Sequence, residues 1–268
     1  MITSKLNPKI KEIRLLNQAK HRNARGLYFI EGVRLVEEAL RQDLPVRKVV
    51  YSPRLEKAQR GAALLSLSRK KISRAEWLYV SEEVMGSISD TPSHQGILVV
   101  LGKKEYNWEE LEKREGMVLL LRGLQDPGNL GTIFRAAEAG EAAGLILTRG
   151  SIDPYSPKVA RASMGSIFRI PFLANQDLRD CLRVLRSLGY KIWATAGHGG
   201  IPFWEADLAQ SSAVIFGQEG AGIPEDLIEA ADGLLTIPMA PPTESLNVAM
   251  AAGLVIYEGF RQRKACPL

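Results

Sequence analysis

The chain has 268 residues, of which 46% are hydrophobic and 24% charged, a composition typical of a globular protein with one or two cores. Its two cysteines, Cys181 and Cys266, are too few and too far apart for a disulfide framework or a zinc or redox motif. No apolar run reaches the roughly 18 residues of a membrane span, and the charged amino terminus does not resemble a signal peptide. We therefore expect a cytoplasmic protein without a membrane segment or a metal site.

The net charge of +5 comes from the first 25 residues, which hold seven basic side chains and one acidic side chain; the remainder has 28 basic and 29 acidic residues. A basic cluster suits the phosphate backbone of a nucleic acid, because each neutralised phosphate releases counterions. A solvated helical face is the alternative interpretation. The candidate RNA-binding side chains in this cluster are Lys5, Lys9, Lys11, Arg14, Lys20, Arg22 and Arg25.

The residues up to 102 predict a small α/β unit. Helices are predicted at Pro8 to Lys20, Gly32 to Arg41, Glu56 to Leu67 and after Ser81. Strands are predicted at Leu27 to Ile30, Val46 to Tyr51, Trp77 to Val80 and Gly96 to Leu101. The polar composition of residues 103 to 116 is typical of a linker, so we predict a first domain over 1 to 102 and a second over 117 to 268.

The second domain contains short apolar strands that alternate with helical segments. Strands that are apolar on both faces are typical of a parallel sheet covered by helices, so the sequence predicts a doubly wound α/β fold. The predicted strands are Val118 to Leu121, Leu145 to Thr148, Lys191 to Ala194, Ala213 to Phe216 and Leu234 to Ile237.

Three loops follow strands of this predicted sheet and therefore lie at its carboxyl edge, where such sheets bind ligands. The first is Asp126 to Gly131, which runs on to Arg135; the second is Gly217 to Gly222; the third joins Ile237 to Met239 with Glu244 to Asn247. We expect the three loops to form one pocket.

The spacing of the glycines argues against the commonest ligands of such folds. The chain has neither the G-x-G-x-x-G of dinucleotide-binding proteins nor the G-x-x-x-x-G-K-[ST] of phosphate-binding loops. It also lacks the G-x-S-x-G of serine hydrolases, and the three histidines, His21, His94 and His198, occupy unrelated contexts.

The first loop predicts a helix that begins at Leu130 with Asn129 as its N-cap. Arg135 on this helix is a candidate phosphate ligand, because its planar guanidinium binds phosphate in a bidentate manner. The alternative is a surface helix with an Arg135–Glu138 ion pair. In the second loop the glycines permit close approach to a flat ligand, or simply a tight turn.

The third loop leads into a helix with small apolar residues, which suits close internal packing or a dimer contact. Ser245 and Asn247 are polar residues at the amino end of this helix, where unpaired N–H groups collect. Ordinary capping by Thr243 or Ser245 is the alternative, and it leaves Asn247 unexplained.

Taken in order, these loops resemble the three motifs of the SpoU (TrmH) family of RNA ribose 2′-O-methyltransferases. The resemblance covers roughly residues 117 to 260. It rests on Asn129-x-Gly131-x-x-x-Arg135, on Phe216-Gly217-Gln218-Glu219-Gly220-x-Gly222-Ile223-Pro224, and on Ile237-Pro238-Met239 with Glu244-Ser245-Leu246-Asn247-Val248-Ala249. The segment Phe29-Ile30-Glu31-Gly32, after a basic helix, also resembles the RNA-binding domain of that family, which is similar to a small ribosomal protein.

The resemblance implies a Rossmann-like parallel sheet of the SPOUT superfamily with a carboxyl-terminal trefoil knot, preceded by the small α/β RNA-binding domain. It also implies a homodimer that binds S-adenosylmethionine. The cofactor residues implied are Phe216, Gly217, Gln218, Gly220, Gly222, Ile237, Pro238, Met239, Ser245, Leu246 and Asn247.

The catalytic residues implied by the resemblance are Arg135, Asn129, Glu219, Ser245 and Asn247, and Arg135 is also expected to contact the RNA. Since a neutral guanidinium base is costly, we expect Arg135 to bind phosphate and orient the ribose. The expected substrate is 23S ribosomal RNA, with transfer RNA as an alternative. A methyltransferase that acts on a base nitrogen and a non-catalytic RNA-binding or ribosome-assembly protein are the rival functions.

Overall fold

The computed structural model describes residues 1–218, 220 and 222–265, which form two compact units. The first unit comprises Met1–Lys104 together with Asp153–Phe168, and the second comprises Glu105–Ile152 and the chain from Arg169 onward. The sequence predicted a single division near residues 102 to 116, which assigns 153–168 to the second domain. The structure instead groups that segment with the amino-terminal unit.

The elements alternate along the chain. The α-helices are Pro8–Leu15 (α1), Ala19–Arg25 (α2), Val33–Arg41 (α3), Pro53–Lys57 (α4), Gln59–Lys71 (α5), Glu82–Ile88 (α6), Trp108–Glu112 (α7), Pro127–Ala139 (α8), Pro157–Ala162 (α9), Leu178–Ser187 (α10), Glu225–Glu229 (α11) and Val248–Ala265 (α12). The strands are Leu27–Glu31 (β1), Val46–Tyr51 (β2), Glu76–Tyr79 (β3), Ile97–Gly102 (β4), Val118–Leu121 (β5), Gly144–Thr148 (β6), Phe172–Gln176 (β7), Lys191–Ala196 (β8), Ile201–Pro202 (β9), Ser212–Phe216 (β10) and Gly233–Thr236 (β11).

The first unit is built on a four-stranded sheet with the order β1-β4-β2-β3. β4 is antiparallel to both of its neighbours, whereas β2 and β3 are parallel. Apolar side chains of α1 and α6 pack on one face of this sheet around the fully buried Phe29. The helix predicted over Pro8 to Lys20 is two helices, since α1 ends at Leu15 and α2 begins at Ala19.

The second unit contains a seven-stranded sheet with the order β7-β6-β5-β10-β8-β11-β9. All its neighbouring strands are parallel, which confirms the predicted α/β fold. Every residue of β5, β6 and β10 is buried, as expected for central strands covered on both faces. The sequence did not predict β7 or the two-residue β9, because neither has a long apolar run.

The last helix, α12, packs against α8. A Cβ atom at Gly140, the residue after α8, would lie 2.3 Å from Cγ2 of Ile256, so only glycine permits this approach. Arg263 of α12 donates from Nη2 to the carbonyl oxygen of Gly140 at 2.9 Å. The two helices carry the first and third motif loops at their amino ends, and their packing therefore fixes those loops relative to each other.

None of the helices in the described part of the chain is long and apolar enough to cross a bilayer. Among the same residues, no group of three or more histidine, cysteine, aspartate and glutamate side chains is placed to hold a metal ion.

Candidate active site

A cavity of about 780 Å³ lies at the carboxyl ends of β8, β10 and β11 in the second unit. Loops that follow these three strands supply its walls, and the second and third motif loops meet there as the sequence predicted. No residue of the first motif loop is among the lining residues, so the prediction of one pocket formed by all three loops was wrong for the first loop. The lining residues are Thr195, Ala196, Gly197, His198, Phe216, Gly217, Gln218, Gly220, Gly222, Ile223, Leu235, Ile237, Met239, Glu244, Ser245, Leu246, Val248 and Ala251.

The wall after β10 is a closed hairpin formed by the second motif loop. Gln218 and Gly222 pair across it, and the Gly222 N–H donates to the Gln218 carbonyl oxygen at 2.9 Å. A Cβ atom at Gly217 would lie 2.5 Å from the carbonyl carbon of Gly222, so a side chain there would push the hairpin open. Gly220 and Gly222 have φ values of +82° and +62°, which glycine adopts at little cost.

Most of the predicted cofactor residues line the cavity, with two exceptions. Pro238 is exposed and Asn247 lies on a neighbouring surface; neither is among the residues that line the cavity. Glu219, a predicted catalytic residue of the second motif, lies outside the residues that the structure describes.

The sequence analysis missed the end of β8 and the loop after it, which together supply four lining residues, Thr195 to His198. Thr195 donates from Oγ1 to the carbonyl oxygen of Ile215, which ties the end of β8 to β10 at 2.9 Å. The signal was present, because Ala-Gly-His-Gly-Gly directly follows a predicted strand of the same sheet. His198 was set aside only because it matched no hydrolase spacing.

The helix after the first motif loop, α8, begins three residues earlier than predicted, and its N-cap residue is different. The helix starts at Pro127, and the Asp126 carboxylate accepts the Asn129 N–H at 2.7 Å. Asp126 is therefore the N-cap, because its short acidic side chain reaches an otherwise unpaired N–H of the first turn. The prediction that Asn129 caps this helix was wrong, and the Asn129 side chain is directed elsewhere.

The Asn129 side chain bonds to the third motif loop. Asn247 donates from Nδ2 to Oδ1 of Asn129 at 2.9 Å, across 118 positions of sequence. Asn247 also caps α12, because its Oδ1 accepts the N–H groups of Ala249 at 2.9 Å and Met250 at 3.3 Å. The helix is thus capped as the alternative interpretation expected, but by Asn247 and not by Thr243 or Ser245. One asparagine both caps the helix and joins the two loops.

Arg135 lies on the exposed side of α8. Within the described residues its guanidinium forms no hydrogen bond or ion pair, whereas the carboxylate of Glu138, its proposed alternative partner, accepts a hydrogen bond from Arg169 at 3.0 Å. The interpretation of the helix as a surface element with an Arg135–Glu138 pair is therefore wrong. The guanidinium of Arg135 keeps its donors available for a ligand outside this chain.

A second, apolar groove runs along α8 and α12 beside the Asn129–Asn247 bond. Three of its side chains are large, apolar and exposed on one face of α12: Met250 at 59%, Leu254 at 38% and Tyr257 at 50%. Their i, i+4, i+7 spacing makes them a continuous stripe, which we call the α12 stripe. Such a stripe on a helix is typical of a contact with another protein surface.

In the first unit the basic cluster divides into engaged and available side chains. Arg22 is 3% exposed, and its Nη2 lies 2.7 Å from the Asp153 carboxylate, so it stabilises the unit and is removed from any RNA surface. Lys5 pairs with Glu83 at 2.6 Å, Lys9 with Glu76, and Arg14 donates to Ser87 at 2.9 Å.

Three members of the cluster remain available. These residues are exposed, and their charged side-chain groups form no hydrogen bond or ion pair with the part of the chain that the structure describes: Lys11, Lys20 and Arg25. The predicted basic surface is therefore smaller than the sequence implied, because burial and ion pairing cannot be read from charge counts.

Two family models match the chain. The SpoU rRNA Methylase family model covers residues 116–257, and the MRM3-like substrate binding domain covers residues 7–99. The first match contains all three motif loops and the whole seven-stranded sheet. The second contains the four-stranded sheet up to the middle of β4.

Relatives extend the likeness over the full chain. An uncharacterized tRNA/rRNA methyltransferase of Synechocystis is 35% identical and covers 98% of this chain and 94% of its own length. The 23S rRNA (guanosine(2553)-2′-O)-methyltransferase RlmP of Bacillus subtilis is 32% identical and covers 96% and 97%. The crystal structure of an AdoMet-bound rRNA methyltransferase from Sinorhizobium meliloti matches with a TM-score of 0.84 at 31% identity, covering 97% of each chain. This chain therefore belongs to the SpoU rRNA methylase family.

Proposed function

We propose that this protein transfers the methyl group of S-adenosylmethionine to a ribose 2′-hydroxyl of RNA. The observation that carries the proposal is the Asn129–Asn247 bond, which joins the first and third motif loops beside the cavity walled by the second and third. The 2′-O-methyltransferase activity for which RlmP is named and the AdoMet bound in the Sinorhizobium meliloti structure support the same reaction.

The cavity suits S-adenosylmethionine in size and lining. Its volume of about 780 Å³ falls within the roughly 300–1,000 Å³ of small-molecule sites. Backbone of the Gly217 hairpin and the side chains of Ile237 and Leu246 offer flat apolar walls for an adenine ring. Glu244 and His198 supply polar groups at the same cavity.

When bound, S-adenosylmethionine supplies an electrophilic methyl group on its sulfonium. The protein must align the ribose oxygen with that carbon, since alignment provides most of the acceleration in an in-line displacement. In our proposal Arg135 binds the phosphate beside the target ribose and fixes its orientation. Asn129 and Asn247 hold each other in place, and Ser245 and Glu219 complete the polar surroundings of the 2′-hydroxyl.

We further propose that the chain forms a homodimer through the α12 stripe and that its carboxyl-terminal segment is threaded into a trefoil knot. The exposed apolar side chains of α12 support the dimer, because a continuous apolar surface of this kind is costly to leave in water. The knot follows from the family resemblance alone.

The proposed substrate is large-subunit ribosomal RNA in the cytoplasm, held by the first unit. The match of residues 7–99 to a substrate-binding domain supports this assignment. The name of RlmP as a 23S rRNA methyltransferase supports it as well. Lys11, Lys20 and Arg25 are the side chains of the basic cluster that remain available to phosphates. Transfer RNA is the second candidate, because other relatives carry the name tRNA/rRNA methyltransferase.

Two measurements separate this function from its rivals. Titration calorimetry with S-adenosylmethionine should give saturable binding, whereas a non-catalytic RNA-binding or assembly protein would give none. Mapping of 2′-O-methyl positions in ribosomal and transfer RNA, from cells with and without the gene, should reveal one or a few lost sites. Sites lost only from transfer RNA would replace the ribosomal assignment, and loss of a base methyl would replace the ribose assignment.

A further inference from the structure

A second polar cavity of about 550 Å³, which we call the polar cleft, lies in the second unit where β5, β6 and β7 end. Two aspartates and a threonine, Asp177, Asp226 and Thr148, line it together with three arginines and three glutamines: Arg122, Arg149, Arg179, Gln125, Gln176 and Gln218. Gln218 lines both the polar cleft and the proposed cofactor cavity. The hairpin of the second motif is therefore a wall shared by the two cavities.

The three arginines differ in how far they are neutralised. Arg179 lies 2.5 Å from the Asp226 carboxylate, and this contact lowers the pKa of Asp226. Arg149 is 69% exposed and only loosely paired, with Nη1 3.6 Å from Asp177. Arg122 donates one bond, from Nη1 to the Gly222 carbonyl oxygen at 3.1 Å. Arg122 and Arg149 are thus the cations that can bind an anion in the polar cleft.

The glutamines supply acceptors beside these cations. Gln176 donates from Nε2 to the Ala174 carbonyl oxygen at 2.8 Å, and Gln125 donates likewise to Gly150. Each amide nitrogen is held by the backbone, which leaves the side-chain carbonyl oxygen to accept from a ligand. Cations together with hydroxyl acceptors match a ribose and its phosphate, and the 2′-hydroxyl distinguishes RNA from DNA.

The lining also indicates which part of the RNA is held. Within the described residues no aromatic side chain lines the polar cleft, so it lacks a platform on which a base could stack. Contacts to sugar and phosphate remain, and these position a strand without reading its sequence.

We infer that the polar cleft binds the sugar-phosphate of a nucleotide that flanks the methylated one. This inference rests on the proposed function, since it takes the neighbouring cavity as the site of methyl transfer. Arg122 links the two sites, because its guanidinium holds the carbonyl oxygen of Gly222 while lining the polar cleft. The Arg149 side chain forms no hydrogen bond or ion pair with residues 218, 220 and 222, the described part of that loop, and Arg149 is therefore the residue on which the inference is best tested.

The test compares R149Q with R183Q in full-length protein. Arg183 is a matched control, being 78% exposed, paired with Asp180 and outside the polar cleft. Binding of an unmethylated RNA fragment is measured by fluorescence anisotropy over a range of salt concentrations, together with KM for RNA, kcat and the Kd of S-adenosylmethionine. Thermal unfolding of both variants checks that they remain folded.

Loss of one phosphate contact should raise the RNA Kd and KM of R149Q about tenfold. It should also lower the slope of log K against log salt by about 0.7. The kcat and the Kd of S-adenosylmethionine should stay at the wild-type values, and R183Q should match wild type throughout. An R149Q protein with the wild-type slope and KM would overturn the inference alone. A wild-type protein that transfers no methyl group to RNA would overturn the proposed function and the inference with it.

Discussion

Arg135 is the residue on which the proposed mechanism depends most, because it is exposed and unpaired in the described part of the chain. We expect Arg135→Lys to lower kcat at saturating RNA about tenfold or more, since lysine retains the charge but cannot grip a phosphate with two parallel bonds. The Kd of S-adenosylmethionine should not change. Arg183→Lys, at an exposed ion-paired arginine, should behave as wild type. Nearly full turnover of Arg135→Lys at saturating RNA would refute bidentate binding.

Glu258 is expected to contribute to the stability of the folded protein in a way that changes at acidic pH. Hydrogen bonds from Arg261 and Gln262 lower the pKa of this carboxylate in the folded state. Its contribution to stability is therefore complete above the unfolded pKa of about 4.3 and is lost as pH falls through the lowered folded pKa. Glu258→Gln should flatten the dependence of unfolding free energy on pH below about 4.5, as measured by urea denaturation. If Glu258→Gln left the pH dependence of the unfolding free energy below about pH 4.5 unchanged, the hydrogen bonds to Glu258 would contribute nothing to stability in solution.

The sequence predicted which residues belong to the candidate site, but it did not predict which residues they bond to. The spacing of Asn129 and Arg135 identified the first motif, yet their contacts depend on a residue 118 positions away and on Arg169, which captures Glu138. The burial of side chains was equally unpredictable. In the sequence Arg22 looks like the other basic residues of the cluster, and only the folded structure shows that it is buried beside Asp153. Long-range pairs of this kind have no local signature.

At the scale of the element, the hairpin after β10 is held closed by the absence of a side chain at Gly217. We expect Gly217→Ala to weaken binding of S-adenosylmethionine by about tenfold or more, because the new Cβ would lie 2.5 Å from the backbone of Gly222. Gly86→Ala, in α6 of the first unit, is the control, since a Cβ there would approach only His94, at the ordinary contact distance of 3.7 Å. Calorimetry measures both affinities. Equal affinities for the two variants would mean that the hairpin does not shape the cofactor site.

The α12 stripe predicts the oligomeric state. Leu254→Glu places a charge in the middle of the stripe and should convert the dimer to monomer, with loss of activity, because the buried carboxylate would have no partner. Leu67→Glu is the matched control, as Leu67 is a similarly exposed leucine, 43% against 38%, on α5 of the first unit. Sedimentation velocity distinguishes the outcomes. If the wild-type protein were a monomer, or if the Leu254→Glu variant remained a dimer, the proposal that the α12 stripe forms the dimer interface would be wrong.

The elements themselves were largely predictable, since buried parallel strands such as β5 and β10 are continuous apolar runs. The exceptions are informative in physical terms. The first predicted helix breaks between Leu15 and Ala19, and β9 is only two residues long, too short for any periodicity to be detected. The loop after β8 was missed as a cavity wall because its glycines matched no known spacing.

At the scale of the whole molecule, the sequence predicted two domains that the chain would form one after the other, with a single connection between them. The segment Asp153–Phe168 leaves the second unit after β6 and joins the first, where Arg161 pairs with Glu31 at 3.1 Å and with Asp90 at 3.0 Å. The segment is held by these ion pairs and by buried apolar side chains such as Val159 and Ile167, and its Tyr155 ring lies 4.6 Å from that of Tyr28. These partners are distant in sequence, so no local feature of the chain marks the boundaries. The chain therefore passes between the units three times.

The central claim is ribose methylation, and one product analysis tests it most directly. The purified protein is incubated with S-adenosylmethionine and ribosomal RNA from cells that lack the gene, and the RNA is then digested and examined by mass spectrometry. The account predicts one new methyl group on a ribose, which leaves the adjoining phosphodiester bond resistant to alkali. A methyl group on a base, with every bond still cleaved by alkali, would contradict it.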